Sequence, residues 1–158
     1  MKTSPKEKLV VVGNGMAGAR TVEEIVKRSK AKSESAQFEI AVYGDENHGG
    51  YNRILLSNVL NGSQDAREIY THPLDWYHDN NIRFHVGAGV VKIDRAAKRV
   101  LDFHGEFASY DKLIIATGSR PFVPPMEGLT LPDGAPKPGV FVFRTIDDCQ
   151  KIDRKSVV

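Results

Sequence analysis

A short apolar run, Leu9–Val12, leads directly into Gly13-Asn14-Gly15-Met16-Ala17-Gly18, and this junction constrains the fold more than any other part of the chain. Three of the four apolar residues are β-branched and the run ends at glycine, the pattern of a buried parallel strand. Beyond the glycines, Met16, Ala19, Val22, Ile25 and Val26 recur at spacings of three and four, while Glu23, Glu24, Lys27 and Arg28 fall on the other side. A helix is therefore predicted from about Met16 to Lys30. Lys30–Gln37 reads as a polar loop, and Phe38–Tyr43 as a second strand ending at Gly44. Strand, helix and strand make a βαβ unit, so the fold class is α/β, a Rossmann-like domain around a central parallel sheet.

Between a strand and a helix, G-x-G-x-x-G has a physical reading. Gly13 permits the tight turn, Gly15 lets the backbone approach a pyrophosphate, and Gly18 lets helix and strand pack closely. The helix N-terminus then favours the phosphate charge, so the motif, Asn14, Met16 and Ala17 included, points to a dinucleotide. The plain alternative is a glycine-rich turn without a ligand. A ribose-binding acid is expected at the end of the second strand, and Gly44-Asp45-Glu46 stands there, with Asp45 the first candidate and Glu46 the second. Asp45 lies 27 residues after Gly18, against a usual ~20, and the long polar loop accounts for the difference. An acid here disfavours NADP, whose additional phosphate it would repel. FAD and NAD both remain open on these residues.

The rest of the chain adds further elements to the same domain. Ile54–Leu60 reads as a short apolar helix stopped at Asn61-Gly62, and Pro73–Asn80 as another. Three β-prone runs with close turns follow, Ile82–Val86 leading to Val90–Ile93, then Arg99–Phe103, then Phe107–Tyr110, and they form an inserted three-stranded antiparallel meander. Lys112–Ala116 reads as a further buried strand, broken by Thr117-Gly118-Ser119. Six of the eight prolines lie between Pro121 and Pro138, so that stretch is an extended connection. An apolar run, Val140–Phe143, precedes a polar helix over Ile146–Arg154.

Composition narrows the function. With 22 Lys+Arg against 20 Asp+Glu, net charge +2, and scattered basic residues, a nucleic-acid partner is disfavoured. No apolar run is long enough for a membrane span or a signal peptide. The single cysteine, Cys149, excludes an internal disulfide or a Cys/His zinc framework and points to a reducing, cytoplasmic setting. The five histidines, at 48, 72, 78, 85 and 104, have no metal-ligand spacing, so no metal site is expected.

Several further segments carry a family resemblance: the strand and GNGMAG, GDE followed by Tyr51–Ser57 (YNRILLS), Pro73–Tyr77 (PLDWY), Tyr110–Pro121 (YDKLIIATGSRP) and Phe143-Arg144-Thr145. Over about residues 8–152 the chain resembles the N-terminal part of flavin-dependent pyridine-nucleotide oxidoreductases. It is most similar to the NAD(P)H-dependent nitrite reductase large subunit, and more distantly to rubredoxin and ferredoxin reductases. The resemblance implies that Gly13–Ala17 hold the FAD pyrophosphate and Asp45 the ribose. Arg53 and Ser57 would lie along the flavin side, although Arg53 also reads simply as a surface arginine. Val90 would meet the adenine edge through its backbone, and Ala116-Thr117-Gly118 would close over the adenosine-diphosphate end. Trp76 and Tyr77 read instead as packing residues.

The resemblance also carries expectations about chemistry. Many ferredoxin-reductase relatives have a lysine directly after the serine, and here that position is Asn58. No redox cysteine pair is present, so electrons would leave a reduced flavin for another acceptor. In the nitrite reductases a hydride passes from NADH to FAD, and single electrons then reach sirohaem through an iron–sulfur cluster, reducing nitrite to ammonia. The NAD(P)H, cluster and sirohaem sites would belong to the remainder of the enzyme or to a small subunit. Residues 1–148 are thus expected to be the N-terminal segment of an FAD-binding domain, incomplete as it stands, and 149–158 the start of a connection to an NAD(P)H-binding domain, Lys155–Val158 opening its first strand. This makes the chain a segment without catalytic residues of its own, not expected to turn over alone. A ferredoxin- or rubredoxin-reductase-like flavoprotein is the runner-up, and a non-catalytic NAD- or adenine-nucleotide-binding module the third reading.

Overall fold

The computed structural model describes residues 6–31 and 38–156. From the N-terminus, β1 (Glu7–Val12), α1 (Met16–Ala31) and β2 (Phe38–Tyr43) form the expected βαβ unit. There follow β3 (Gly50–Tyr51), a 3-10 turn over Arg53–Leu55, α2 (Leu56–Leu60), a second 3-10 turn over Ala66–Ile69, β4 (Tyr70–His72) and α3 (Leu74–Asp79). The last group is β5 (Arg83–His85), β6 (Val90–Asp94), β7 (Arg99–Asp102), β8 (Phe107–Ser109), β9 (Lys112–Ile115) and α4 (Ile146–Ser156). These elements fall into two compact units. The first takes the chain up to Tyr51 with Thr71–Gly118; the second takes Asn52–Tyr70 with the chain from Ser119 onward.

In the first unit β1 lies between β2 and β9 in a parallel sheet of order β5-β2-β1-β9. Leu9 pairs with Ile40 and Val11 with Val42 on one side; Val12 pairs with Ile115 on the other. Successive side chains of a strand point to opposite faces, and both faces of β1 are covered. Leu9 and Val11 pack with Val22 of α1, Ile40, Val42, Tyr77 and Ile82. Val10 and Val12 pack with Tyr43, Ala88, Val100 and Tyr110 beneath the meander β6-β7-β8. A strand buried on both faces must be apolar at every position, which is why the run has no alternation.

Four expectations change. Ile82–Val86 contributes β5, a member of the parallel sheet beside β2, because its residues register with Ala41–Tyr43. Strand β9 occupies the sheet edge among the described residues, so Lys112 is exposed and Ile115 is 62% exposed, where a buried strand was expected. Lys155 and Ser156 continue α4 rather than opening a strand; Val157 and Val158 lie outside the described residues. The polar loop begins later than expected, Lys30 and Ala31 ending α1, and 32–37 lie outside the described residues.

In the second unit α2 packs on α4. The N-terminus of α4 is held by a reciprocal cap. The Thr145 hydroxyl accepts from the Asp148 amide at 3.1 Å, and the Asp148 carboxylate accepts from the amides of Arg144 and Thr145, both at 3.0 Å. Cys149 is buried in the next position, its thiol donating to the Leu56 carbonyl at 3.6 Å.

Candidate functional site

The central strand of an open parallel sheet, with neighbours leaving in opposite directions, is where such sheets hold ligands beyond the carboxyl ends of their strands. Here that point is Val12–Gly13. Gly13 has φ +104°, and a Cβ on it would lie 2.3 Å from the Ala116 carbonyl oxygen. The turn into α1 is therefore clamped against the backbone leaving β9. A Cβ on Gly18 would lie 2.0 Å from the Gly13 carbonyl oxygen and 3.5 Å from the Ala116 side chain. Both glycines are required by close approach. The Gly13 amide donates to Tyr43 O at 2.8 Å and the Ala116 amide to Val12 O at 2.7 Å, tying the turn to β2 and to β9.

Helix α1 has sixteen residues and no acid in its first turn, so no carboxylate of its own neutralises its unpaired N-terminal amides. Met16 and Ala17 are exposed at this end. In front of it runs a groove lined by Asn14, Gly15, Gly44, Asp45, Glu46, His48, Gly49 and Tyr51. Asp45 is exposed on the groove and Glu46 half-buried. Glu46 accepts a hydrogen bond from the Tyr51 hydroxyl at 2.6 Å. The two acids are thereby differentiated: Glu46 is oriented by the protein, and Asp45 faces solvent.

Four further predicted residues belong to this unit. Ala116 is half-buried against the turn, while Thr117 and Gly118 are exposed after β9, Gly118 with φ +70°. Val90 begins β6, its side chain packed into the cluster under the meander. Arg53 and Ser57 lie in the second unit. Arg53 opens the 3-10 turn and donates to the Arg144 carbonyl at 3.4 Å; Ser57 is exposed on α2. Asn58 donates to Gln64 Oε1 at 2.9 Å and its carbonyl accepts from the Gln64 amide, so it fastens the turn after α2. Trp76 and Tyr77 are packing residues: Tyr77 is 1% exposed, with Trp76 against it edge-on at 5.1 Å.

Two residues of the site escape the sequence reading. Tyr51 was visible only as part of a family string, yet its hydroxyl holds Glu46. Tyr77 packs in the core, yet its hydroxyl donates to Asn14 Oδ1 at 2.7 Å, while Asn14 Nδ2 is buried with no partner. A hydroxyl reaching out of a core is not encoded in periodicity.

These features fit the adenosine-diphosphate half of a dinucleotide. The two clamped glycines leave backbone where a side chain would stand, and the orphaned Asn14 amide is a donor awaiting an acceptor. Among the described residues no group of three or more His, Cys, Asp or Glu is arranged to hold a metal, and no helix is long and apolar enough to cross a membrane.

Comparison with known proteins gives a consistent picture. The sequence profile described as pyridine nucleotide-disulphide oxidoreductase matches residues 7–157. The chain is 46% identical over 143 residues to a nitrite reductase [NAD(P)H] of Bacillus subtilis, covering 90% of this chain and 16% of that protein. It is 43% identical over 147 residues to the assimilatory nitrate reductase electron transfer subunit of the same organism, covering 93% and 18%. Among solved structures, a ferredoxin reductase from Rhodopseudomonas palustris superposes with TM-score 0.77 at 26% identity, covering 95% of this chain and 34% of that one. The chain thus spans less than a fifth of the length of these two curated relatives.

Proposed function

The chain belongs to the pyridine nucleotide-disulphide oxidoreductase family, and from that premise we propose that it is the FAD-binding segment of an NAD(P)H-dependent nitrite reductase. The observation that carries this reading is the clamp of Gly13 on Ala116 in front of an acid-free helix N-terminus, in a chain most of which aligns with such a reductase. Gly13–Gly18 would take the pyrophosphate on backbone amides. Asp45 would accept from the ribose hydroxyls, with Glu46, held by Tyr51, behind it. Val90 would border the adenine and Ala116–Gly118 would cover the diphosphate, with Arg53 and Ser57 toward the flavin.

FAD, when bound, supplies the conversion between hydride and single-electron transfer. The chain's residues bind and orient it. With Cys149 as the lone cysteine of the sequence, no thiol pair of this chain would take electrons from a bound flavin; an iron–sulfur cluster and sirohaem, the carriers this reading implies, would belong to the remainder of the enzyme or to a small subunit. The likeness to a ferredoxin reductase favours one alternative, delivery to a small iron–sulfur protein.

Acceptor assays on the enzyme that carries this segment test the reading. NAD(P)H oxidation coupled to nitrite is expected, together with no turnover by the 158-residue chain alone. Coupling only to a ferredoxin, or robust NADH oxidation by the isolated chain, contradicts it.

A further inference from the structure

Tyr77 is the largest fully buried side chain among the described residues, and its ring is flanked by Trp76 at 5.1 Å and Phe84 at 4.4 Å. Its hydroxyl nevertheless has a polar neighbour, donating to Asn14 Oδ1 at 2.7 Å. A phenol has one proton to give, and a buried hydroxyl needs an acceptor for it. Turning the Asn14 amide over would present an N–H group to the phenol and leave the Tyr77 proton without that acceptor. The Tyr77 hydroxyl therefore fixes the Asn14 amide in one orientation.

That orientation leaves Asn14 Nδ2 buried and unpartnered, the only such side-chain atom among the described residues. An unsatisfied buried donor carries a desolvation cost, which a bound acceptor removes. Asn14 lines the groove and stands between the two glycines of the turn, where a pyrophosphate is expected. We propose that Tyr77 is a positioning residue for nucleotide binding, holding Asn14 so that its Nδ2 donates to a pyrophosphate oxygen. The inference rests on the FAD reading above and adds a side-chain donor to a site otherwise built from backbone. Tyr77 is expected not to touch the nucleotide; it acts through Asn14.

A double-substitution cycle in FAD and ADP affinity tests it. The chain and its Tyr77→Phe, Asn14→Ala and doubly substituted forms are titrated with each ligand, below the unfolding transition of every variant. Tyr77→Phe keeps the ring and its packing. Each single change is expected to weaken FAD and ADP binding about ten-fold, the scale of a hydrogen bond to a charged group. The double variant is expected to bind no more weakly than Asn14→Ala, since both changes remove one interaction. Multiplicative losses in the double variant, wild-type affinity in either single variant, or a loss for FAD without one for ADP overturns the proposal. If the unsubstituted chain binds neither FAD nor ADP, the FAD reading itself fails, an outcome distinct from these.

Discussion

At residue scale the structure turns on how closely two backbones approach. Gly13 both adopts a left-handed φ and lies against Ala116 O, so any side chain meets strain and a clash with backbone that cannot swing away. Gly13→Ala is expected to cost about 3 kcal/mol, a melting-temperature fall of roughly 6–12 °C for a chain this size. A thermal scan within 2 °C of the unsubstituted chain would refute the clamp. The acids make a finer test. Asp45→Asn is expected to weaken FAD binding by about ten-fold, because a carboxylate accepting from ribose hydroxyls is a charge-assisted partner. Glu46→Gln is expected to weaken it less, since a Gln side chain can still accept from Tyr51. An equilibrium titration in which Glu46→Gln is the more damaging would exchange the two roles.

At the scale of elements, caps and buried histidines set the behaviour. Asp148→Ala removes the acceptor of two backbone amides at the head of α4 and is expected to cost about 1–2 kcal/mol, read as a shift of the denaturant midpoint. The same helix hides Cys149, whose thiol is pushed up first by burial and then by Asp148. Ellman's reagent is therefore expected to react with it only slowly in the folded chain and with one equivalent in denaturant.

His72 of β4 is 6% exposed, 3.4 Å from Glu23 of α1 and stacked edge-on with Trp76. Burial holds His72 and His85 below the usual imidazole range, the Glu23 carboxylate opposing this at His72. The unfolded chain therefore takes up protons near pH 6.5 that the folded chain refuses, so stability present above that pH declines as the pH falls through it. Melting temperatures are expected to drop between pH 7.5 and 5.5, and His72→Gln to flatten the profile; parallel profiles would remove His72 from the cause. A second window lies lower. Lys27, and with it Arg20, holds Glu23 at about 2. Its stabilising contribution is present above about pH 4.5 and is lost as the pH falls toward 2.

At the scale of the whole molecule, the βαβ unit was legible because its signals are local: a run of branched residues, a three-and-four periodicity, and glycines between them. The meander was legible from its turns. The partner of β5 was not, because a three-residue strand such as Arg83–His85 is assigned to a sheet by Ala41–Tyr43, more than forty positions away. The edge position of β9 escaped for a related reason, since KLII reads as apolar wherever it lies. Of the site, the glycine turn and the acids could be read from spacing. The Tyr51–Glu46 and Tyr77–Asn14 bonds could not, because each side chain is explained equally well as packing until its hydroxyl is located. Family likeness extended the reading to Arg53 and Ser57, which lie in the second unit.

Calorimetric titration of the chain with FAD, ADP and NAD decides whether the glycine turn receives the adenosine-diphosphate half of FAD. FAD is expected to bind most tightly, ADP to compete for the same site, and NAD to be the weakest of the three. NAD binding more tightly than FAD, or FAD and ADP occupying the chain together without competition, would rule that placement out.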